Sequence, residues 1–416
     1  MATPHTVQKA VSATTTTTTT RFIPRTTFQL PAGEKKTYYL GHHAKALRLM
    51  NASLSRIGLI IECRDSRVPL SSTNPLFETH LKDRKRIIVF TKSSLCANKN
   101  HSHILRQERI LREYYSNALS SSSPQIRKTS EQEEDEFEEQ KLSGDALRDN
   151  IVLFTDDRDR RSIVRLLDEI RKCAVGYDTL LGLRALVVGM PNVGKSSLLN
   201  ALRREGMKRD LSKVSKAAKT GGQPGVTRNA GTPVRILPRP NPDAMPSPET
   251  DYGEGVFVVD TPGVFIPYIQ DPLTMLKLAM VGCVGEKVVD KELMVDYLLF
   301  HLNLRDPAIY KHLSPPTNDI GEFLDNVGRR TGKLMKGGQP SHEEASAWVL
   351  QQWRVGRLGR FCLDDISREA LAARSSNVEM SEPGLSMSQA KKREKVERKE
   401  RIEKKVAAKK GGGLGL

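Results

Sequence analysis

The segment Gly189-Met190-Pro191-Asn192-Val193-Gly194-Lys195-Ser196 has the spacing G-x-x-x-x-G-K-S, that of a loop built to hold a polyphosphate. A triphosphate is densely anionic, and backbone N–H groups can surround it only where side chains do not intrude, which is the use of Gly189 and Gly194. Lys195 supplies a cation for the β- and γ-phosphates, and the Ser196 hydroxyl a ligand for magnesium. About 65 residues further on stands Asp260-Thr261-Pro262-Gly263, a D-x-x-G. At such a spacing Asp260 holds the magnesium through water, and the Gly263 amide senses the γ-phosphate.

These residues need rigid elements to hold them. Arg184–Val188 is a short apolar run entering the loop, and Ser197–Leu202 reads as the helix leaving it, so a helix N-terminus faces the phosphates. Val234–Leu237 and Val256–Val259 are further strands, the second running directly into Asp260. Three strands precede the loop. Ile57–Cys63 leads to Arg64-Asp65-Ser66-Arg67-Val68-Pro69, Arg86–Phe90 to Thr91-Lys92-Ser93-Ser94, and Ile151–Phe154 to Thr155-Asp156. Ser162–Ala174 carries a helical apolar stripe through Ile163, Leu166, Leu167 and Ile170. From Asp271 onward the pattern is helical, with Val289, Leu293, Tyr297 and Phe300 at steps of three and four, as are Ala345, Trp348 and Val349. Trp348 and Trp353 read as core residues.

The chain has 416 residues, enough for two or three domains, a net charge of +17 and a pI near 9.6, which point to a polyanionic partner. Aromatic residues are only 5%, so contact with a nucleic-acid backbone is expected rather than broad base stacking. The basic stretch Arg203–Thr220, the glycine-punctuated turn Gly328–Gly338 and the tail, with eleven Lys/Arg against four Glu from Lys391 to Lys410, are candidate contacts. The five cysteines are scattered with no C-x-x-C, which suits a reducing compartment and suggests neither a zinc site nor a disulfide framework. No apolar run reaches the ~20 residues of a membrane span. His42 and His43 lack a third ligand at a useful spacing and read as surface histidines.

Residues 1–33 contain no acidic residue, but carry Lys9, Arg21, Arg25 and a threonine run, the composition of a mitochondrial transit peptide. Residues 116–148, with a serine run and an acidic block, are expected to form a disordered insertion. The organisation expected is therefore a leader or disordered segment over 1–33, a nucleotide-binding domain over 34–270, a helical domain over 271–370 and a basic tail, disordered or helical, over 371–416.

A Ras-like GTPase surrounds its nucleotide with five loops. Here the candidates for the fourth and fifth, Thr91–Ser94 and Thr155-Asp156, precede the first three. The order four, five, one, two, three implies an α/β, circularly permuted Ras-like domain with a mostly parallel sheet, followed by a helical domain. In this order the segment after Gly263 leads straight into the helices, so nucleotide state could reorient them. The sequence resembles the circularly permuted YlqF-type GTPases, which include ribosome biogenesis GTPase A and mitochondrial ribosome-associated GTPases. The resemblance is carried by Tyr39–Ala46, Asp65–Pro75, Gly189–Ser197, Pro224-Gly225-Val226-Thr227, Asp260–Gly263 and the Gly332–Gly338 and Arg354–Gly359 stretches, and covers roughly residues 35–365.

That resemblance implies GTP and Mg2+ as ligands, with potassium assisting through Asn192. It implies a role in assembling the large mitochondrial ribosomal subunit through its rRNA; any association with the inner membrane would be peripheral. Nucleotide contacts would come from Thr91, Lys92, Ser94, Thr155, Asn192, Val193, Gly194, Lys195, Ser196, Ser197 and Gly263. The metal would fall to Ser196, Thr227 and Asp260, and catalysis to Lys195, Thr227 and Gly263. Val264 stands where Ras-like enzymes place a water-orienting glutamine, so slow turnover, accelerated by the ribosome, is expected. One position departs from the pattern. The family's base reader is N-K-x-D, and here Ser94 replaces the aspartate. A neutral hydroxyl cannot form the charged bidentate pair with guanine. Either base selectivity is relaxed, or backbone contacts near Thr155 compensate. Two other classes fit less of the chain: an RNA- or ribosome-binding factor with nucleotide as a structural ligand, and an ATPase or small-molecule kinase.

Overall fold

The computed structural model describes residues 22–30, 48, 50–52, 54–81, 84–96, 101–120, 151–175, 177, 181–208, 232–239, 252–266, 269, 271–285 and 288–380. Thr227, His42, His43 and the Lys391–Lys410 stretch lie outside them.

Six strands form one sheet: β1 (Leu59–Asp65), β2 (Arg86–Thr91), β3 (Ile151–Phe154), β4 (Leu183–Gly189), β5 (Val234–Leu237) and β6 (Val256–Asp260), in the order β3-β2-β1-β4-β6-β5. All neighbours are parallel except β5 with β6. Parallel strands covered on both faces are apolar without alternation, and β1 and β2 are buried at every position. The register sets Asp65 beside Thr91 and Cys63 beside Gly189, so the ends of β1, β2 and β4 form one rim.

The helices are α1 (Pro75–His80), α2 (His101–Ser120), α3 (Arg160–Val175), α4 (Lys195–Gly206), α5 (Pro272–Met280), α6 (Lys291–Arg305), α7 (Ile320–Thr331), α8 (His342–Arg354) and α9 (Arg368–Met380). The stripe Ile163, Leu166, Leu167 and Ile170 is buried on α3, as its period requires. Side-chain caps start several helices, with Asp271, Asp290, Asp319 and Ser341 accepting first-turn amides of α5 to α8. Asn74 caps α1 through the Leu76 amide, and its Nδ2 donates to the Val264 carbonyl at 2.9 Å.

Three expected boundaries differ. First, residues 22–30, placed in the leader, lie on α6: Arg25 pairs with Asp296, and Phe28 meets Tyr297 and Phe300 at ring distances of 5.0 and 5.7 Å. Composition alone hides such contacts because each partner is some 270 residues away. Second, α2 runs through residue 120, four residues beyond where the insertion was expected to begin. Third, α9 carries the described chain through Met380, ten residues past the expected end of the helical domain, and its Leu371 joins Ile88, Phe90 and Leu111 in a buried cluster beside β2 and α2. One apolar core continues from the sheet through α5–α8 and includes Trp353, with Trp348 packed at its edge.

Candidate functional site

The β4–α4 junction forms the floor of the site. Gly189 has φ +148°, and a Cβ there would lie 2.4 Å from the Cys63 carbonyl oxygen, so only glycine fits. Asn192 and Gly194 also have positive φ, 58° and 94°, which turn the chain sharply before the helix. Lys195 is 6% exposed, and its ammonium donates to the Met190 carbonyl at 2.7 Å and the Gly189 carbonyl at 3.3 Å. Burial lowers its pKa, against the opposing pull of Asp260 and Cys63. It is a cation curled over its own loop, short of negative charge.

Opposite it ends β6. Ser196 Oγ donates to Asp260 Oδ2 at 2.6 Å, while Asp260 Oδ1 is buried with no hydrogen-bond partner. Burial raises the Asp260 pKa, against Lys195 and the Ser196 hydrogen bond. A desolvated carboxylate oxygen beside a serine hydroxyl fits the donor set expected for magnesium. The third expected ligand, Thr227, lies outside the described residues. Among those residues, no cluster of three or more His, Cys, Asp or Glu could hold a metal by itself, so the ligand's own phosphates would have to complete the shell.

The D-x-x-G segment is pressed onto the phosphate loop. Thr261 Oγ1 donates to the Val187 carbonyl at 2.7 Å, and the Val264 amide donates to the Gly189 carbonyl at 3.1 Å. A Cβ on Gly263 would lie 2.6 Å from Pro191 N, so the two loops touch through bare backbone. Val264 is 2% exposed and packs with Met50, Ile60, Phe77 and Val188. Its side chain is part of an apolar cluster, and it presents no polar group to water.

The fourth and fifth loops arrive from β2 and β3. Thr91 Oγ1 bonds to the Arg64 carbonyl at 3.1 Å and to the Val193 carbonyl, which ties β2 to the phosphate loop. Lys92, left-handed at φ 57°, donates to the Asn192 carbonyl at 2.7 Å and to Asp65 Oδ2 at 2.9 Å. Thr91, Lys92, Thr155, Asp157, Gly194, Ser197 and Leu198 line a single cleft running from these loops to α4. Ser94 turns toward the fifth loop, where its hydroxyl and amide both meet the Asp156 carboxylate. Thr155-Asp156 is the fifth loop the sequence predicts, but of the two only Thr155 is expected to touch the nucleotide, whereas the structure brings Asp156 to Ser94.

A second network connects this rim to the helices. Burial alone would raise the Asp65 carboxyl, but Arg67 and Lys92 override it and hold it well below the usual carboxylate range. Arg67 grips both Asp65 oxygens, at 2.9 and 2.7 Å, and its guanidinium lies 5.0 Å from the Trp353 ring centroid. Asn192 Nδ2 donates to the Gly282 carbonyl at 2.8 Å, just past α5. Asp364 accepts the Leu70 and Ser71 amides at 2.9 and 2.8 Å and pairs with Lys277 at 3.1 Å. None of these long-range partners has a local sequence signal.

A central strand feeding a glycine loop and a helix N-terminus, with a D-x-x-G pressed against it and a cleft closed by two loops from earlier strands, defines a phosphate-loop nucleotide-binding domain. Residues 184–327 match the family of 50S ribosome-binding GTPases. Mitochondrial GTPase 1 of Schizosaccharomyces pombe is 36% identical over 358 residues, 86% of this chain and 97% of that one. Mitochondrial ribosome-associated GTPase 1 of Mus musculus is 31% identical over 82% of this chain and 93% of its own, and ribosome biogenesis GTPase A of Priestia megaterium is 27% identical over 79% and 96%. The chain belongs to this family of GTPases, and its loops follow the permuted order.

Proposed function

We propose that the protein binds and hydrolyses GTP in mitochondria as an assembly factor for the large ribosomal subunit. The observation that carries the nucleotide reading is the Lys195–Ser196–Asp260 cluster, a buried ammonium and a partnerless buried carboxylate oxygen facing the same loop. A bound triphosphate supplies the negative charge that Lys195 lacks. Ser196 and Asp260, with Thr227, are the residues that would hold Mg2+, which when bound neutralises charge on the phosphate oxygens. Gly263 lies against Pro191, so its amide is within reach of the loop's ligand, and Thr91 and Lys92 fix the cleft that would receive the nucleoside. Asn192 would offer its amide oxygen to a potassium ion during turnover.

Val264 is buried among apolar side chains and orients no water, so intrinsic turnover is slow and the ribosomal particle stimulates it. The same residue favours a second reading, a nucleotide-gated ribosome-binding factor with little turnover. The basic, acid-free N-terminus serves as the import signal, with the processed chain keeping residues 22–30 on α6. The domain plan proposed is a nucleotide-binding unit through residue 270 and a helical rRNA-facing unit from 271, with the basic tail reaching rRNA or the matrix face of the inner membrane. Among the described residues no helix is long and apolar enough to cross a membrane.

The site is tested by GTP affinity with and without Mg2+. Mg2+ is expected to tighten binding to the wild type by about tenfold or more, and to Ser196→Ala much less. Equal dependence on Mg2+ in both would contradict the assignment.

A further inference from the structure

We propose that Ser94 and Asp156, joined across the fourth and fifth loops, read the guanine edge together in place of the carboxylate missing from position 94. This rests on the GTP reading above. Guanine presents two adjacent donors, N1–H and N2–H2, and a selective site must face them with two acceptors, at best one of them charged.

Ser94 alone offers a hydroxyl that can turn either way. In the structure it does not stand alone. Its Oγ donates to Asp156 Oδ2, and its amide points to the same oxygen at 3.3 Å. The Arg158 amide donates to Asp156 Oδ1 at 3.0 Å. A hydroxyl has one proton, and with that proton committed to Asp156 the oxygen of Ser94 is left as an acceptor. A carboxylate has about four acceptor sites, so Asp156, holding three donors, keeps one. The dyad therefore shows two acceptors side by side, one of them carrying charge. Adenine's edge pairs a donor with an acceptor and cannot satisfy both.

The dyad adjoins the residues that line the cleft. The Ser93 amide donates to the Thr155 carbonyl at 3.1 Å and the Thr155 amide to the Phe90 carbonyl at 2.8 Å, so the two loops are zipped side by side. Lys92 and Thr155, next to the dyad in the chain, line the cleft that continues to Gly194 and Ser197. Thr155 is 1% exposed, and its Oγ1 has no hydrogen-bond partner, a second polar atom at this end of the cleft suited to a ligand.

The experiment measures equilibrium binding of GTP, ATP and XTP to the full chain in Mg2+ buffer. The variants are Asp156→Asn, Asp157→Asn and the exchange Ser94→Asp with Asp156→Ser. Asp156→Asn is expected to lose about 10- to 100-fold in GTP affinity, the range for one hydrogen bond to a charged group. It should also gain XTP, whose 2-carbonyl accepts from the asparagine amide. The exchange, which returns the carboxylate to the fourth loop, should hold GTP within about tenfold of the wild type and keep GTP over ATP. Unchanged GTP preference in Asp156→Asn overturns the proposal, as does an equal loss of all three nucleotides, which would make Asp156 only a loop brace. A switch to XTP in Asp157→Asn instead would place the reader one residue on and overturn it too. A wild type that binds no guanine nucleotide would remove the GTP reading itself, a result distinct from any of these.

Discussion

Asp364 is the side chain whose removal should most clearly separate the helices from the nucleotide-binding sheet. It is 8% exposed and accepts three hydrogen bonds, from the Leu70 amide at 2.9 Å, the Ser71 amide at 2.8 Å and Ser71 Oγ at 2.6 Å. Lys277 of α5 pairs with it at 3.1 Å. Asp364→Ala leaves two buried amides without acceptors and a largely buried ammonium without a counter-ion. Each orphaned amide costs about 1–3 kcal/mol, and breaking a buried ion pair from one side about 3–5 kcal/mol. Water entering the space left by the carboxylate re-solvates part of both, so the sum is not reached, and a net loss of about 3–5 kcal/mol is expected. Asp364→Asn keeps one acceptor oxygen for the amides but cannot neutralise Lys277, and should lose roughly half as much. Urea unfolding followed by the fluorescence of the two tryptophans, Trp348 and the buried Trp353, reads the loss as a lower midpoint. A shift under about 1 kcal/mol for Asp364→Ala would refute the clamp.

Two further predictions follow from packing and charge. Gly263→Ala would bring a Cβ to 2.6 and 2.7 Å from Pro191 N and Cα, so the phosphate loop must move. The overpacking should cost about 1–3 kcal/mol in melting experiments and weaken GTP binding by more than about tenfold. Burial, then Arg305 and Lys277, pushes the His301 imidazole from 6.5 down to about 3. Between those values the unfolded chain binds more protons than the folded one, so stability falls as pH drops through that window, by at most about 1.4 kcal/mol per pH unit. His301→Gln should flatten this acid limb; an unchanged pH profile would show that His301 is not its source.

Much of the fold could be read from the chain because its signals are local. The apolar runs of β1, β2, β4 and β6 and the stripe on α3 occur where the period demanded them, and the loop order followed from which strands precede Gly189. The phosphate loop could be read for the same reason, since its glycines and Lys195 act through neighbouring backbone. What escaped is long-range. Asp156 meets Ser94 across 62 positions, and Asp364 reaches Ser71 across 293. Phe28 and Arg25 looked like leader residues until α6 supplied Tyr297 and Asp296. Val264 stands where Ras-like enzymes place a glutamine, yet its burial in an apolar cluster is itself a packing requirement. Pairing of this kind depends on where the sheet brings its loops, which no single segment encodes.

The Lys195–Ser196–Asp260 cluster is proposed to turn over GTP for the ribosome. The most direct measurement is steady-state hydrolysis of GTP and of ATP in potassium buffer, with and without purified large mitochondrial ribosomal subunits. Slow turnover selective for GTP is expected, rising when the particles are added. No turnover of either nucleotide under any of these conditions would contradict it.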